Sequence, residues 1–207
     1  MKTAAVGFRV HSGWTSLVAV ALENGKPMVL ARQRPHLVET FSYTFRQPYH
    51  TAEKMTLDEA RDFLAKQQSE TRRCALAAIR SAEKDVAAQG YKLTRATLLL
   101  ASGRPLPELA KILAAHSLIH TADGQFFREA LLHGCAQRKL AVTTIKEREL
   151  FVAASTSLCR NPVALAKLVG DLGKPLGSPW TQDEKLAMLA AWVALCGMRP
   201  AANSKAN

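Results

Sequence analysis

Three polar side chains are spaced so that they would share one face of a helix. His116, His120 and Asp123 stand at positions i, i+4 and i+7 of a segment with helical hydrophobic spacing. Imidazole and carboxylate groups are ligands that zinc and similar metals take in proteins. The spacing predicts a site for a single divalent transition metal, to which His11 or His133 could bring a further ligand.

The same residues also have a purely structural interpretation, which we favour at this point. An apolar stripe along the segment brackets His116 and Asp123, and it consists of Leu109, Ile112, Ile119, Phe126 and Ala130. Polar groups on an inward-facing stripe must be hydrogen-bonded within the protein. That requirement alone would explain why they are there.

A second group of residues combines aromatic rings with positive charge. Phe41, Tyr43 and Phe45 alternate with polar residues, which predicts an extended edge strand. Three arginines lie close by in the sequence, namely Arg32, Arg34 and Arg46. Such a surface could stack bases and contact the phosphates of single-stranded nucleic acid. The alternative is that the aromatic face of the strand packs in the core.

The overall charge favours a polyanionic partner. The chain carries 28 Lys and Arg against 17 Asp and Glu, a net charge of +11. Nucleic acid is the commonest polyanion inside a cell, and an acidic protein partner is the alternative. No apolar run reaches the roughly 18 residues of a membrane span, and the run Ala4 to Phe8 is too short for a signal-peptide core. We therefore expect a basic cytoplasmic protein of the bacterial type, with no membrane association.

The elements that must position these residues follow from hydrophobic spacing and from turn and capping signals. Capping boxes at 56–59 and 181–184 predict helices that end near Gln89 and Cys196, and a third helix is expected over 107–139 with a kink at Asp123-Gly124. Asn24-Gly25 predicts a β-hairpin. The expected strands cover 4–10, 15–22, 26–33, 96–101 and 141–146.

The order β-β-β-α-β-α-β-α predicts an α/β fold built on one mixed five-stranded sheet. Three antiparallel N-terminal strands, of which the first is central, precede β/α crossovers. Helices are expected on both faces and throughout the C-terminal third. Residues 1–199 should form one domain, followed by a disordered tail over 200–207.

Two segments resemble ribonuclease H-like proteins, whose element order is the same. Residues 6–15 (VGFRVHSGWT) are similar to the first strand and turn of Holliday-junction resolvases and actin-like kinases, and residues 183–191 to the last helix of the resolvases. In the kinases that turn binds phosphate, which the resemblance carries over to Gly13 and Thr15. The alternative is that Gly13 only ends a strand.

The resemblance implies a nuclease site that this sequence does not complete. Resolvase-type nucleases hold two Mg²⁺ ions with carboxylates from the first strand, the fourth strand and the last helix. Here His11 stands where those nucleases have the carboxylate of the first strand. If the alignment is shifted along the strand, Arg9 takes that position instead. The fourth strand ends without an acid, so that only Asp183 and Glu184 remain, and Glu184 also completes a capping box. His11 and Asp183 are left as candidate catalytic residues.

These observations lead to three hypotheses. The first is a nucleic-acid-associated ribonuclease H-like protein without two-metal nuclease activity. The second is a metal-dependent hydrolase or nuclease with a rearranged site, built from His11, His116, His120, Asp123 and Asp183 around one transition metal. The third is a non-catalytic protein-interaction module that meets an acidic partner.

Overall fold

The computed structural model describes residues 1–101 and 105–197, and they contain one five-stranded sheet. The strands lie in the order β3-β2-β1-β4-β5. Their bounds are β1 Lys2–His11, β2 Trp14–Glu23, β3 Lys26–Gln33, β4 Tyr91–Leu100 and β5 Ala141–Lys146. The tail expected over 200–207 lies outside the described residues.

The sheet is mixed, and its first strand is central, as predicted. β1 pairs with β2 antiparallel and with β4 parallel, and β4 pairs with β5 parallel. The hairpin between β2 and β3 turns at Asn24 and Gly25, which have φ angles of 50° and 74°. These angles suit the two residue types, since asparagine and glycine tolerate positive φ. β4 begins at Tyr91 rather than at 96, because Gly90 ends the preceding helix and the strand starts directly after it.

Eight α-helices accompany the sheet in the described part of the chain. They are α1 Tyr43–Arg46, α2 Pro48–Ala52, α3 Leu57–Ala88, α4 Leu109–Leu113, α5 His116–Gln137, α6 Leu150–Leu158, α7 Pro162–Asp171 and α8 Gln182–Cys196. Both predicted capping boxes form, Thr56 with Glu59 and Thr181 with Glu184. None of these helices is at once long enough and apolar enough to span a membrane.

Two expectations about local structure are wrong. Residues 41–45 do not form an edge strand, because Tyr43–Arg46 is a helical turn and backbone hydrogen bonds hold the preceding segment to the β1–β2 turn instead. The helix over 107–139 is not broken at Asp123-Gly124, where both residues are helical. It is interrupted at Ala115, which is extended (φ −139°, ψ 110°). Alanine favours helix at that position, so tertiary packing and not local preference decides the break.

Helices cover both faces of the sheet. One core lies between the sheet and helices α3 and α5, and it includes Phe8, Ile79 and Phe127. The other lies between the sheet and helices α6, α7 and α8, and it includes Val18 and Met188. The central strand β1 is therefore buried on both sides.

Gly7 allows α8 to lie directly on β1. A Cβ atom at this position would stand 1.9 Å from the carbonyl oxygen of Ala187 and 2.9 Å from the nitrogen of Ala191. No side chain fits at such a distance, so the helix can approach the strand this closely only over glycine. The first turn of α8 is thereby placed over the end of β1.

Candidate functional site

The carboxyl ends of three parallel strands meet at one edge of the sheet. β1 ends at His11, and Glu147 follows β5 directly. The first turn of α8 adds Asp183, and Arg9 lies two residues before the end of β1. In open α/β sheets, ligands bind at the carboxyl ends of the strands. Arg9, His11, Glu147 and Asp183 therefore form the first candidate site.

Arg9 is the centre of this group. Its Nε donates to Oε2 of Glu147 at 2.9 Å and its Nη2 donates to Oε1 at 2.7 Å, a two-pronged contact. Nη1 donates to Oδ1 of Asp183. The hydrogen bonds that Arg9 donates to Glu147 above all, and also the one to Asp183, raise the pKa of Arg9 above its ordinary value. A permanent positive charge thus lies between two carboxylates from different elements.

His11 and Asp183, the candidate catalytic residues, lie in contact. Nε2 of His11 is 3.1 Å from Oδ1 of Asp183 and 3.3 Å from Nη1 of Arg9. The imidazole stacks on the indole of Trp14 with the ring centroids 4.2 Å apart. Its ring is therefore held on one side by an aromatic plane and at its edge by the ion-paired group.

Glu184 caps the N-terminus of α8 through hydrogen bonds with Thr181. Its Oε2 accepts hydrogen bonds from the backbone N–H and the hydroxyl of Thr181, at 2.7 and 2.9 Å. Its other oxygen lies 3.6 Å from Nη1 of Arg32. The contacts of Glu184 are therefore those of a capping residue. Asp183 is the acid of this helix that contacts Arg9.

Glu147 is the residue of this group that the sequence analysis missed. The resemblance to resolvases implies a carboxylate at the end of the fourth strand, whereas Glu147 stands after the fifth. The register of the parallel pair puts Lys146 opposite Leu100, so the ends of β4 and β5 are level. An acid directly after the predicted strand 141–146 was the available signal.

A half-buried arginine, Arg128, lies near the same edge. Nε of Arg128 donates to the carbonyl of Leu99 at 3.2 Å. Burial lowers the pKa of Arg128, and the charge of Glu147 acts in the opposite direction. Arg128 also lines a cavity of about 660 Å³ together with Leu100 and His120. This cavity opens beside the end of β4.

The predicted binding arginines differ in their contacts. Arg32 donates to the carbonyls of Pro179 at 2.5 Å and Leu176 at 2.9 Å, so it ties the loop before α8 to β3. Arg34 is exposed, and its guanidinium carbon lies 3.7 Å from the ring centroid of Trp14. Arg34 is therefore available to a ligand, while Arg32 is engaged within the protein.

Tyr43 and Arg46 belong to a partly exposed aromatic segment, in which Arg46 is half-buried and its Nε donates to the carbonyl of Ser12 at 3.2 Å. The guanidinium of Arg46 lies 4.4 Å from the ring centroid of Phe41, on which His36 also stacks at 4.2 Å. Phe41 is 40% exposed and Tyr43 is 63% exposed. Phe41 and Tyr43 therefore lie at the surface, whereas the third predicted ring, Phe45, is partly buried and packs against the core. Arg34, His36, Phe41, Tyr43 and Arg46 are called the cation–aromatic surface below.

Gly13 and Thr15 take part in the turn between β1 and β2. Gly13 has a φ of +81°, and a Cβ there would stand 2.6 Å from Cγ of Arg46. Thr15 is fully buried, and its hydroxyl donates to the carbonyl of Arg9 at 3.0 Å. The hydroxyl of Thr15 is therefore occupied within the protein, and the glycine makes room for the Arg46 side chain.

The predicted metal-ligating residues are brought together with an unexpected partner. Nε2 of His116 and Nε2 of His120 lie 3.0 Å apart, and His50 of α2 joins them. Asp123 does not reach this pair in the way its spacing suggested. Its Oδ2 lies 2.5 Å from Nδ1 of His50, and its Oδ1 accepts the backbone N–H of Tyr49 at 2.7 Å.

The rearranged site that the second hypothesis expected is therefore divided into two groups. His11 lies with Asp183, and it is not part of the histidine group. His133, the other suggested ligand, lies 2.8 Å from the Gln137 side chain. His50, which was not among the predicted ligands, lies in helix α2.

Comparisons with known proteins place the fold. No family model matches the chain, and no curated protein matches it by sequence. Among solved structures, RuvC of Thermus thermophilus is similar over 93% of both chains, with a TM-score of 0.51 and 13% sequence identity. A second structure, T. thermophilus RuvC in complex with a Holliday junction substrate, matches 92% of this chain and 91% of that one, with a TM-score of 0.50 and 12% identity. The protein has the ribonuclease H-like fold.

Proposed function

We propose that this protein binds nucleic acid and does not cleave it by the two-metal mechanism. The observation that carries the second part of the proposal is the position of Arg9, whose guanidinium lies between Glu147 and Asp183. The first part is supported by the charge of the chain and by the cation–aromatic surface.

Arg9 opposes two-metal chemistry for an electrostatic reason. Two divalent ions held roughly 3.5–4 Å apart need several carboxylates to offset their mutual repulsion. In this site the first strand supplies a cation that is ion-paired with both Glu147 and Asp183, so its charge offsets one of their two negative charges. Metal ions would have to displace a guanidinium that makes three hydrogen bonds to these acids.

Nucleic acid fits the remaining features of the surface. The net charge of +11 attracts phosphates without regard to base sequence. Exposed rings such as Tyr43 and Phe41 can stack on bases. Arg46 lies over the ring of Phe41, and Arg34 lies over the ring of Trp14. The solved neighbour that holds a Holliday junction substrate supports the same class of ligand.

Paired charge removals test whether this surface binds. We expect the variant Arg34→Ala/Arg46→Ala to bind fluorescently labelled single-stranded DNA and RNA more weakly than the wild type, measured by anisotropy. Each lost phosphate contact should lower the slope of log affinity against log salt by about 0.7 on single strands. The control is Lys26→Ala/Lys92→Ala, which removes the same charge from two exposed positions. These lysines lie at the N-terminal ends of β3 and β4, whereas Arg34 follows the C-terminal end of β3. Equal losses in the two variants would show that the contact surface lies elsewhere.

A further inference from the structure

We propose that His50, His116 and His120 together bind one divalent transition metal ion. One ligand nitrogen from each side chain lies within 4.8 Å of the other two. Among the residues that the structure describes, these three form the group of side chains that could hold a metal. The site is separate from the Arg9 group and does not depend on nucleic-acid binding.

Two of the three ligands come from one face of α5. His116 and His120 are four residues apart, the spacing that places side chains on neighbouring turns of a helix. Their Nε2 atoms are 3.0 Å apart. Both side chains are exposed, so an ion can reach them from solvent. Without an ion, one of these nitrogens can donate a hydrogen bond to the other, and with an ion both can offer their lone pairs to it.

The third ligand is oriented by a buried carboxylate. His50 is 8% exposed and Asp123 is 3% exposed, and Oδ2 of Asp123 lies 2.5 Å from Nδ1 of His50. This contact places the proton of a neutral imidazole on Nδ1 and leaves the lone pair of Nε2 free. Histidines that bind metals are held in this manner by a carboxylate on the other ring nitrogen.

Asp123 is in turn fixed by the backbone. Its Oδ1 accepts the N–H of Tyr49, the residue before His50, so α2 and α5 are joined at this point by both carboxylate oxygens. Burial raises the pKa of Asp123, and the hydrogen bonds from His50 and Tyr49 oppose that rise. The carboxylate thus has a positioning role behind His50.

The ligand set indicates the kind of ion and its accessibility. Imidazole nitrogens suit zinc, copper and nickel rather than magnesium or calcium. Three protein ligands leave the fourth tetrahedral position for water or an exogenous group, as in catalytic zinc sites. His120 also lines the cavity of about 660 Å³ that contains Arg128, so a small anion could reach the ion from that side.

Titration of the full chain with ZnCl₂ tests the site. After removal of metals by a chelator, we expect one zinc ion per chain to bind with a dissociation constant below about 10 μM in calorimetry. Co²⁺ should give the visible absorption of a tetrahedral nitrogen-ligated ion. His116→Ala and His120→Ala should each weaken zinc binding by more than about 100-fold, and Asp123→Asn by about 10- to 100-fold.

Because His116 and His120 are exposed, their replacement by alanine should not prevent folding. His133→Ala is the matched control on the same helix. It should bind zinc as the wild type does. Binding weaker than about 10 μM, binding that survives in the double variant His116→Ala/His120→Ala, or equal loss in His133→Ala would each overturn the proposal.

Discussion

Affinity for single-stranded nucleic acid is expected to fall by several hundredfold to a thousandfold between about 50 and 200 mM salt. The reason is the release of counterions when about six to seven phosphates are neutralised by lysine and arginine. The net charge of +11 is sufficient for that number of contacts. Fluorescence anisotropy at several salt concentrations gives the slope directly.

The same experiment separates phosphate contacts from base recognition. Oligonucleotides of equal length and different sequence should bind with nearly equal affinity, because the phosphates carry no sequence information. Tyr43 contributes only if bases stack on it. If single- and double-stranded DNA and RNA all fail to bind at about 50 mM salt, the positive charge must serve an acidic protein partner instead.

Replacing Arg9 is expected to give a protein that responds to magnesium. Arg9→Met removes three hydrogen bonds to carboxylates, and the free energy of unfolding should fall by about 2 kcal/mol, since the group is only partly exposed. Glu147 and Asp183 are then left without their cation. Addition of about 10 mM MgCl₂ should restore roughly 1 kcal/mol, the gain for an ion that binds in the low millimolar range.

Two controls accompany that measurement of stability in urea. Sodium chloride at matched ionic strength accounts for simple screening. Arg61→Met removes an exposed arginine paired with Asp58, and it should leave both the stability and the magnesium response unchanged. If the wild type gains as much stability from Mg²⁺ as the Arg9 variant does, the guanidinium does not exclude the ion.

Local signals in the sequence were sufficient for most of the fold. The two capping boxes and the Asn24-Gly25 turn depend on residues that are close along the chain, and the structure contains all three. The segment around Tyr43 was predicted wrongly, because alternation over five residues also fits a short helical turn beside a proline. The preceding residues Pro35 and Leu37 are hydrogen-bonded to the β1–β2 turn over a long separation, which no local pattern indicates.

The two clusters of polar side chains were only partly predictable for the same reason. Arg9 and Glu147 are 138 positions apart, and His50 and Asp123 are 73 apart. Helical spacing identified His116 and His120, which lie on one element. His50 and Glu147 come from other elements, and no spacing rule connects residues that only the packed sheet and helices bring together.

Cleavage of nucleic acid in the presence of Mg²⁺ or Mn²⁺ is the most direct test of the role assigned to Arg9. Purified wild-type protein and the Asp183→Ala variant should be compared on a four-way DNA junction and on an RNA–DNA hybrid. Because a guanidinium lies between Glu147 and Asp183, both proteins should leave the substrates intact apart from the same trace background. Metal-dependent cleavage by the wild type that disappears in Asp183→Ala would contradict this account.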